Sequence, residues 1–155
     1  MALIIRKYSD GDFSAVCAIE GAECSEPEPY SQAVFIRQAG LLFPDTFLVA
    51  ESGGEIIGYT IGAVVQGRSE EGWIIRMVVR KGFRGRKTGE MMFFRIIELM
   101  EVKGVGNLFL TVSPENLPAC SMYEKHGFEI TDEIPSYFGE GEDRIVMQKN
   151  LNMVG

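Results

Sequence analysis

Cysteine and histidine are scarce in this chain. There are three cysteines, Cys17, Cys24 and Cys120, and one histidine, His126. The cysteine number is odd and the spacing fits no zinc pattern, so neither a disulfide framework nor a metal site is expected. A reducing compartment is the simpler setting, and the protein is expected to be cytoplasmic. No stretch approaches the roughly 18 apolar residues of a membrane span. The opening Met1-Ala2-Leu3-Ile4-Ile5-Arg6-Lys7 has too short an apolar run for a signal peptide, so no membrane partner is expected. A basic excess is also missing. Asp and Glu outnumber Lys and Arg 22 to 15, for a formal net charge of -7, which disfavours nucleic acid as a partner. Neither Gly-x-x-x-x-Gly-Lys-Ser/Thr nor Gly-x-Gly-x-x-Gly occurs, so the nucleoside triphosphatase and dinucleotide-binding frameworks are excluded.

What is present is an ordinary globular balance, 46% hydrophobic and 24% charged. The 155 residues suit a single domain, residues 1–155, with one core. A short strand at Leu3–Ile5 precedes Ser9-Asp10, an N-cap signal for a helix over 10–23. Ser25-Glu26-Pro27-Glu28-Pro29 breaks that helix, because each proline removes a donor and restricts the residue before it. A second helix is predicted over 31–42. Strands over 47–51 and 55–65 flank the turn Ser52-Gly53-Gly54 and read as a hairpin. After a polar loop over 66–72 comes a strand over 73–80, then a long helix over 87–103. That helix carries Met91, Met92, Phe93, Phe94, Ile96, Ile97, Leu99 and Met100, an all-round apolar coat expected to be buried against the sheet and another element. Gly104 and Gly106 end it. A strand at 108–112, a short helix at 118–126 and closing strands at 128–131 and 144–148 complete the order. This order implies an α+β sandwich, a sheet with helices on its faces.

The turn before the long helix is basic and glycine-bearing: Lys81-Gly82-Phe83-Arg84-Gly85-Arg86-Lys87-Thr88-Gly89. Amides in the first turn of a helix have no internal partner and sum with the helix dipole to about half a positive charge. A phosphate can accept from several of them at once. Glycine lets a ligand approach the backbone closely. On these grounds the segment is either a pyrophosphate cradle or a solvated basic turn.

The continuation reads Asn116-Leu117-Pro118-Ala119-Cys120-Ser121-Met122-Tyr123-Glu124-Lys125-His126-Gly127-Phe128. With Met77-Val78-Val79 and Arg84 to Gly89, it resembles the GNAT superfamily of acetyl-coenzyme A-dependent N-acetyltransferases. That family's signature is a strand, Arg/Gln-x-x-Gly-x-Gly/Ala opening a helix, then Asn-x-x-Ala-x-x-x-Tyr-x-x-x-Gly-Phe. The resemblance covers roughly Leu48 to Leu151. It implies a mixed, mostly antiparallel sheet and acetyl-coenzyme A as co-substrate, without a metal. By the same resemblance Met77, Val78 and Val79 would offer backbone groups to the pantetheine arm. Arg84, Gly85, Arg86, Lys87, Thr88 and Gly89 would hold the pyrophosphate, and Asn116 would hydrogen-bond the pantetheine. Tyr123 would stand near the thioester sulfur as general acid. Read from the residues alone, Asn116 is equally an N-cap, and Tyr123 a ring-packed helix residue. One departure stands out: the family's first cradle glycine is Lys87 here.

The resemblance implies that the acceptor is an amine. At pH 7, deprotonation costs roughly 1 kcal/mol for an α-amine and about 4 to 5 kcal/mol for a lysine, so an α-amine asks less of a base. The strand position where ribosomal-protein alanine and other N-terminal acetyltransferases often carry Glu or His is Thr111 here. Glu51, Glu70 and Glu71 are alternative bases or plain surface charges, and His126 is a base or a helix cap. The tail from Pro135 to Met147 is similar to that of N-terminal acetyltransferases, which implies that Tyr137 grips a peptide end. Tyr30 lies where the other acceptor wall is expected. Three functions follow: acetylation of a protein or peptide N-terminus; acetylation of a small amine, suited by the acidic stretches Glu26 to Glu28 and Glu140 to Asp143; or a coenzyme A-binding sensor without catalysis. The chain is expected to be a monomer or a homodimer.

Overall fold

The computed structural model describes residues 2–23, 29–85 and 87–152. The strands are β1 (Leu3–Lys7), β2 (Phe47–Ser52), β3 (Glu55–Val64), β4 (Glu71–Val79), β5 (Asn107–Val112), β6 (Glu129–Ile134) and β7 (Arg144–Asn150). The helices are α1 (Phe13–Glu23), α2 (Pro29–Leu42), α3 (Thr88–Val102) and α4 (Leu117–Lys125), with short 3-10 turns at Asp10–Asp12 and Pro44–Thr46. The strands form one seven-stranded sheet in the order β1-β2-β3-β4-β5-β7-β6. Pairings β1–β2, β2–β3, β5–β7 and β6–β7 are antiparallel and β4–β5 is parallel. The expected α+β, mostly antiparallel architecture is therefore present. Contacts divide the chain into two compact units, Met1–Ala63 with Arg76–Leu99 and Val64–Ile75 with Met100–Gly155.

In the first unit, α1 and α2 bury Val16, Ile19, Ile36 and Ala39 against Phe47, Val49, Tyr59, Ile61 and Val78 of the strands. A fully buried side chain of this kind contributes about 1.5–3 kcal/mol. A second cluster gathers Ala50, Ile57 and Met92 with Met77, Val79 and Phe83. Both faces of these strands are thus covered, which explains their nearly continuous apolar sequence rather than strict alternation. The β2–β3 register passes from Ala50↔Gly58 to Glu51↔Ile56, leaving Ile57 as the extra residue of a bulge.

The coat of α3 is only partly buried. Met92, Phe93, Ile96 and Met100 are fully enclosed, while Met91 and Phe94 stand 45% and 52% exposed. The buried positions fall at i, i+1, i+4 and i+8, one face of a helix, so the expected all-round burial is corrected to a single covered face. Polarity alone could not show this, because the exposed face is also apolar.

In the second unit, β5 alternates: Leu108, Leu110 and Val112 are buried, and Asn107, Phe109 and Thr111 face the other way, half-buried. β4 begins at Glu71, two residues earlier than expected, because Glu71 to Ile74 pair with Asn107 to Leu110 of β5. Gly72 is small where it must be: a Cβ there would lie 3.1 Å from Val105 and 3.2 Å from the Met100 sulfur. Trp73 stacks on Phe109 with ring centroids 4.9 Å apart.

Candidate active site

The first unit carries the turn. β4 ends at Val79, and α3 starts at Thr88. Between them Phe83 N–H donates to the Arg80 carbonyl at 3.0 Å, closing a tight turn. Arg84 reaches back with its Nε to the Val79 carbonyl at 3.1 Å, and its guanidinium pairs with Glu23 at the end of α1. The Val79 carbonyl thus has one of its two acceptor sites engaged, and Arg84 is tied to the turn and to α1 although its side chain stays 56% exposed. Lys87 is exposed and adopts φ 63°. Its carbonyl accepts the Met91 N–H at 2.9 Å, the bond that starts the helix. A left-handed conformation costs an L-residue roughly 1–2 kcal/mol, so the geometry demands what a glycine supplies although the sequence has a lysine. Thr88 is buried; Arg86 lies outside the described residues. The donor set here is compatible in charge with a diphosphate: the first amides of α3 have no helical partner, and they follow Lys87, an exposed basic residue. A cavity of about 420 Å³ adjoins the turn through Phe83 and Thr88, with Leu3, Ile57 and Glu55 among its other walls.

The second unit carries the rest. The parallel pairing of β5 with β4 stops at Leu110, so Thr111 and Val112 keep only their β7 partners, Val146 and Ile145. The chain then enters α4 through Asn116, whose Oδ1 accepts the Ala119 N–H at 3.3 Å. Asn116 is thus an N-cap, with Pro118 in the first turn, where its missing donor costs nothing. Tyr123 follows seven residues later, two helical turns on and on the same face. The helix ends on a glycine at φ 90°, Gly127. Gly127 N–H donates to Glu124 at 3.0 Å and Phe128 N–H to Tyr123 at 3.0 Å, the two bonds of a Schellman motif. Phe128 is buried, with its ring 6.3 Å from that of Tyr123. The sequence run Tyr-x-x-x-Gly-Phe is therefore a helix-ending device that fixes Tyr123 through its own carbonyl and ring. Burial pushes the Tyr123 phenol up to about 12, with Cys120 adding to it. Burial likewise raises the Cys120 thiol, whose sulfur faces the Ser113 carbonyl at 3.8 Å.

The possible bases fare unequally. Glu51 is bound to Arg6 at 3.1–3.2 Å. Glu71 accepts the Trp73 indole N–H at 2.9 Å and lies 3.7 Å from Arg68. The Glu70 backbone carbonyl accepts from Gly106 and Asn107, and its side chain is exposed. The backbone N–H of His126 caps α4, donating to Met122 and Tyr123. Thr111 is half-buried opposite Val146. Tyr30, in the first unit, is 73% exposed on the first turn of α2. Tyr137, in the second, is 40% exposed in the β6–β7 connection and packs edge-on against Phe138 at 4.8 Å. Asp143 shapes that connection by accepting the Ser136 N–H at 2.8 Å.

Sequence reasoning missed two buried carboxylates, Asp12, which Arg6 holds at 2.8 Å, and Glu20. Glu20 of α1 accepts two bonds from Arg76 of β4, at 3.0 and 2.7 Å, and a third from the Tyr59 hydroxyl. No local signal marks it; 56 residues separate the ion pair.

Residues 13–128 match the family model described as acetyltransferase (GNAT) family. This chain belongs to that family. Among its relatives is an uncharacterised N-acetyltransferase of Methanocaldococcus jannaschii, 31% identical over 95% of this chain and 91% of that protein. An N-alpha-acetyltransferase of Sulfurisphaera tokodaii is 27% identical over 81% of this chain and 80% of its own. Among solved structures, Ard1 from Thermoplasma volcanium superposes with a TM-score of 0.86 at 25% identity, covering 99% of this chain and 100% of that one. The chain is thus a GNAT N-acetyltransferase with the fold of its family. Among the described residues no helix is long and apolar enough to cross a membrane, and no group of three His, Cys, Asp or Glu could hold a metal ion.

Proposed function

We propose that this GNAT enzyme transfers the acetyl group of acetyl-coenzyme A directly to the α-amine of a protein or peptide N-terminus, with Tyr123 as the general acid. The observation that carries the reading is Tyr123 itself: a phenol locked by the Gly127-Phe128 helix end and kept protonated by burial. Acetyl-coenzyme A supplies an activated thioester. The amides of Thr88 and Gly89, with Gly85, Arg84, Arg86 and Lys87, are the groups for its diphosphate. Backbone of Met77, Val78 and Val79 and the amide of Asn116 are those for its pantetheine.

The proton balance limits how Tyr123 can act. The amine nitrogen forms the new C–N bond, the C–S bond breaks, and one proton moves from nitrogen to sulfur overall. A thiol has a pKa of about 8.5, against about 12 for Tyr123. Complete transfer from the phenol to a free thiolate is therefore uphill by roughly 5 kcal/mol. Tyr123 acts by hydrogen-bonding the sulfur as charge develops and passing on the proton that the amine releases. With Thr111 at the usual base position and Glu51 and Glu71 already engaged, water is the base. That suits an α-amine, whose deprotonation costs only about 1 kcal/mol at pH 7. Exposed Tyr137, on its Asp143-braced connection, is the grip for the peptide end, and Tyr30 lines the acceptor side.

A second acceptor class, a cationic small amine, draws support from the acid-rich run between Glu129 and Asp143, which holds no Lys or Arg. A thiol-release assay across peptides with free N-termini, polyamines and amino sugars separates the two. Turnover of peptides alone supports the N-terminal reading; turnover of polyamines or amino sugars alone overturns it in favour of the second; no thiol release with any of these acceptors overturns both.

A further inference from the structure

One carboxylate ties the end of α1 to the turn before α3. Glu23, the last residue of α1, accepts the Lys81 backbone N–H at 3.0 Å and also holds the Arg84 guanidinium. Arg84 in turn spends its Nε on the Val79 carbonyl at 3.1 Å. The Glu23 side chain is 12% exposed and that of Arg84 56%. A cation positioned to attract a diphosphate is therefore already matched by an acid of the same chain. The Lys81 N–H needs only an acceptor, which an amide oxygen would also provide.

We propose that Glu23 is an internal counter-ion of Arg84 that lowers the affinity of the turn for coenzyme A and links its arrival to the C-terminal end of α1. The inference rests on the placement of the diphosphate at this turn. Two consequences follow from charge alone. A phosphate that reaches Arg84 either shares the guanidinium with Glu23 or displaces it, and in both cases it meets a nearby negative charge. Because Arg84 is largely solvent-exposed, that repulsion is screened by salt.

Calorimetric titration with coenzyme A, without any acceptor, tests this on the wild type, Glu23→Gln, Arg84→Met and the double variant, at low and high ionic strength. Glu23→Gln keeps an acceptor for Lys81 and loses only the charge. It should bind about fivefold tighter at low salt, with most of the gain gone near 0.5 M salt. Adding Arg84→Met should return binding to about the wild-type level, while the same change beside an intact Glu23 should weaken low-salt binding by about fivefold, because it uncovers the carboxylate. Equal or weaker binding by Glu23→Gln overturns the proposal. If that variant does not fold, Glu23→Ala decides in its place: tighter low-salt binding than wild type supports the proposal, and equal or weaker binding overturns it. A wild type that takes up no coenzyme A overturns the parent reading, and this one with it.

Discussion

Arg76 on β4 grips Glu20 on α1 with hydrogen bonds of 3.0 and 2.7 Å, and the Tyr59 hydroxyl completes the coordination of the carboxylate. Glu20 is 3% exposed. Arg76→Met therefore leaves a buried carboxylate without its cation. Breaking such a pair costs about 3–5 kcal/mol, and the lower end applies because the Arg76 side chain is 32% exposed. Urea denaturation should show a loss of about 3 kcal/mol. The double change to Glu20→Leu with Arg76→Met should recover a large part of it, since no unpaired charge then remains.

Gly127 at φ 90° supplies the residue after the cap of α4, and its motif holds the Tyr123 carbonyl. Gly127→Ala forces a Cβ into the left-handed region at a cost of about 1 kcal/mol or more. Because the strained bond is made to Tyr123, kcat should fall more than the affinity for coenzyme A. A stability loss with kcat unchanged would show that the helix end does not position the phenol.

Lys87 presents the opposite case, an L-residue where the backbone takes φ 63°. Lys87→Gly should stabilise the fold by about 0.5–1 kcal/mol, the left-handed cost less the extra entropy of glycine. A melting-temperature rise of about 2–4 °C would register 1 kcal/mol. Lys87→Ala, which loses the charge but keeps the Cβ, should not rise. If both variants bind coenzyme A more weakly at low salt and alike at high salt, the ammonium contributes to phosphate binding as a point charge.

The phenol of Tyr123 also predicts a pH dependence. Its pKa lies at about 12 in the fold against 10.0 for a free tyrosine. The unfolded chain therefore loses this proton first as pH rises. The contribution is fully present below pH 10 and is lost between pH 10 and 12. Tyr8, whose phenol is also raised by burial, adds to the same window, so the comparison must be made against Tyr123→Phe. That variant should lose less stability than the wild type between pH 10 and 12. Equal losses would mean that Tyr123 is not held in a desolvated site.

Much of this was readable in the sequence because it is local. Ser52-Gly53-Gly54 announced the hairpin, Asn116 the cap of α4, and Gly127 its end; each acts within a few residues of itself. The family motif rests on the same devices, so the motif and the helix-end physics identify the same positions. What escaped was non-local or concealed. Glu20, Arg76 and Tyr59 look like three unrelated residues until the fold brings them together. Glu23 looks like a helix-terminal surface acid, yet it reaches Lys81 and Arg84 some 58 and 61 residues on. Periodicity failed on α3 because Met91 and Phe94 are apolar and still exposed. Lys87 was legible as a departure from the family, but only the backbone angle shows that the fold keeps the glycine conformation and bears the cost.

The central claim is that Tyr123 assists acetyl transfer to an α-amine. The most direct test incubates a peptide bearing both a free N-terminus and an internal lysine with acetyl-coenzyme A, using wild type and Tyr123→Phe, and locates the acetyl group by tandem mass spectrometry while following the rate. The account predicts acetylation on the α-nitrogen alone, a drop in kcat of about 100-fold in Tyr123→Phe, and coenzyme A affinity within about twofold of wild type. Acetyl found on the lysine side chain, or a Tyr123→Phe rate equal to wild type, would contradict it.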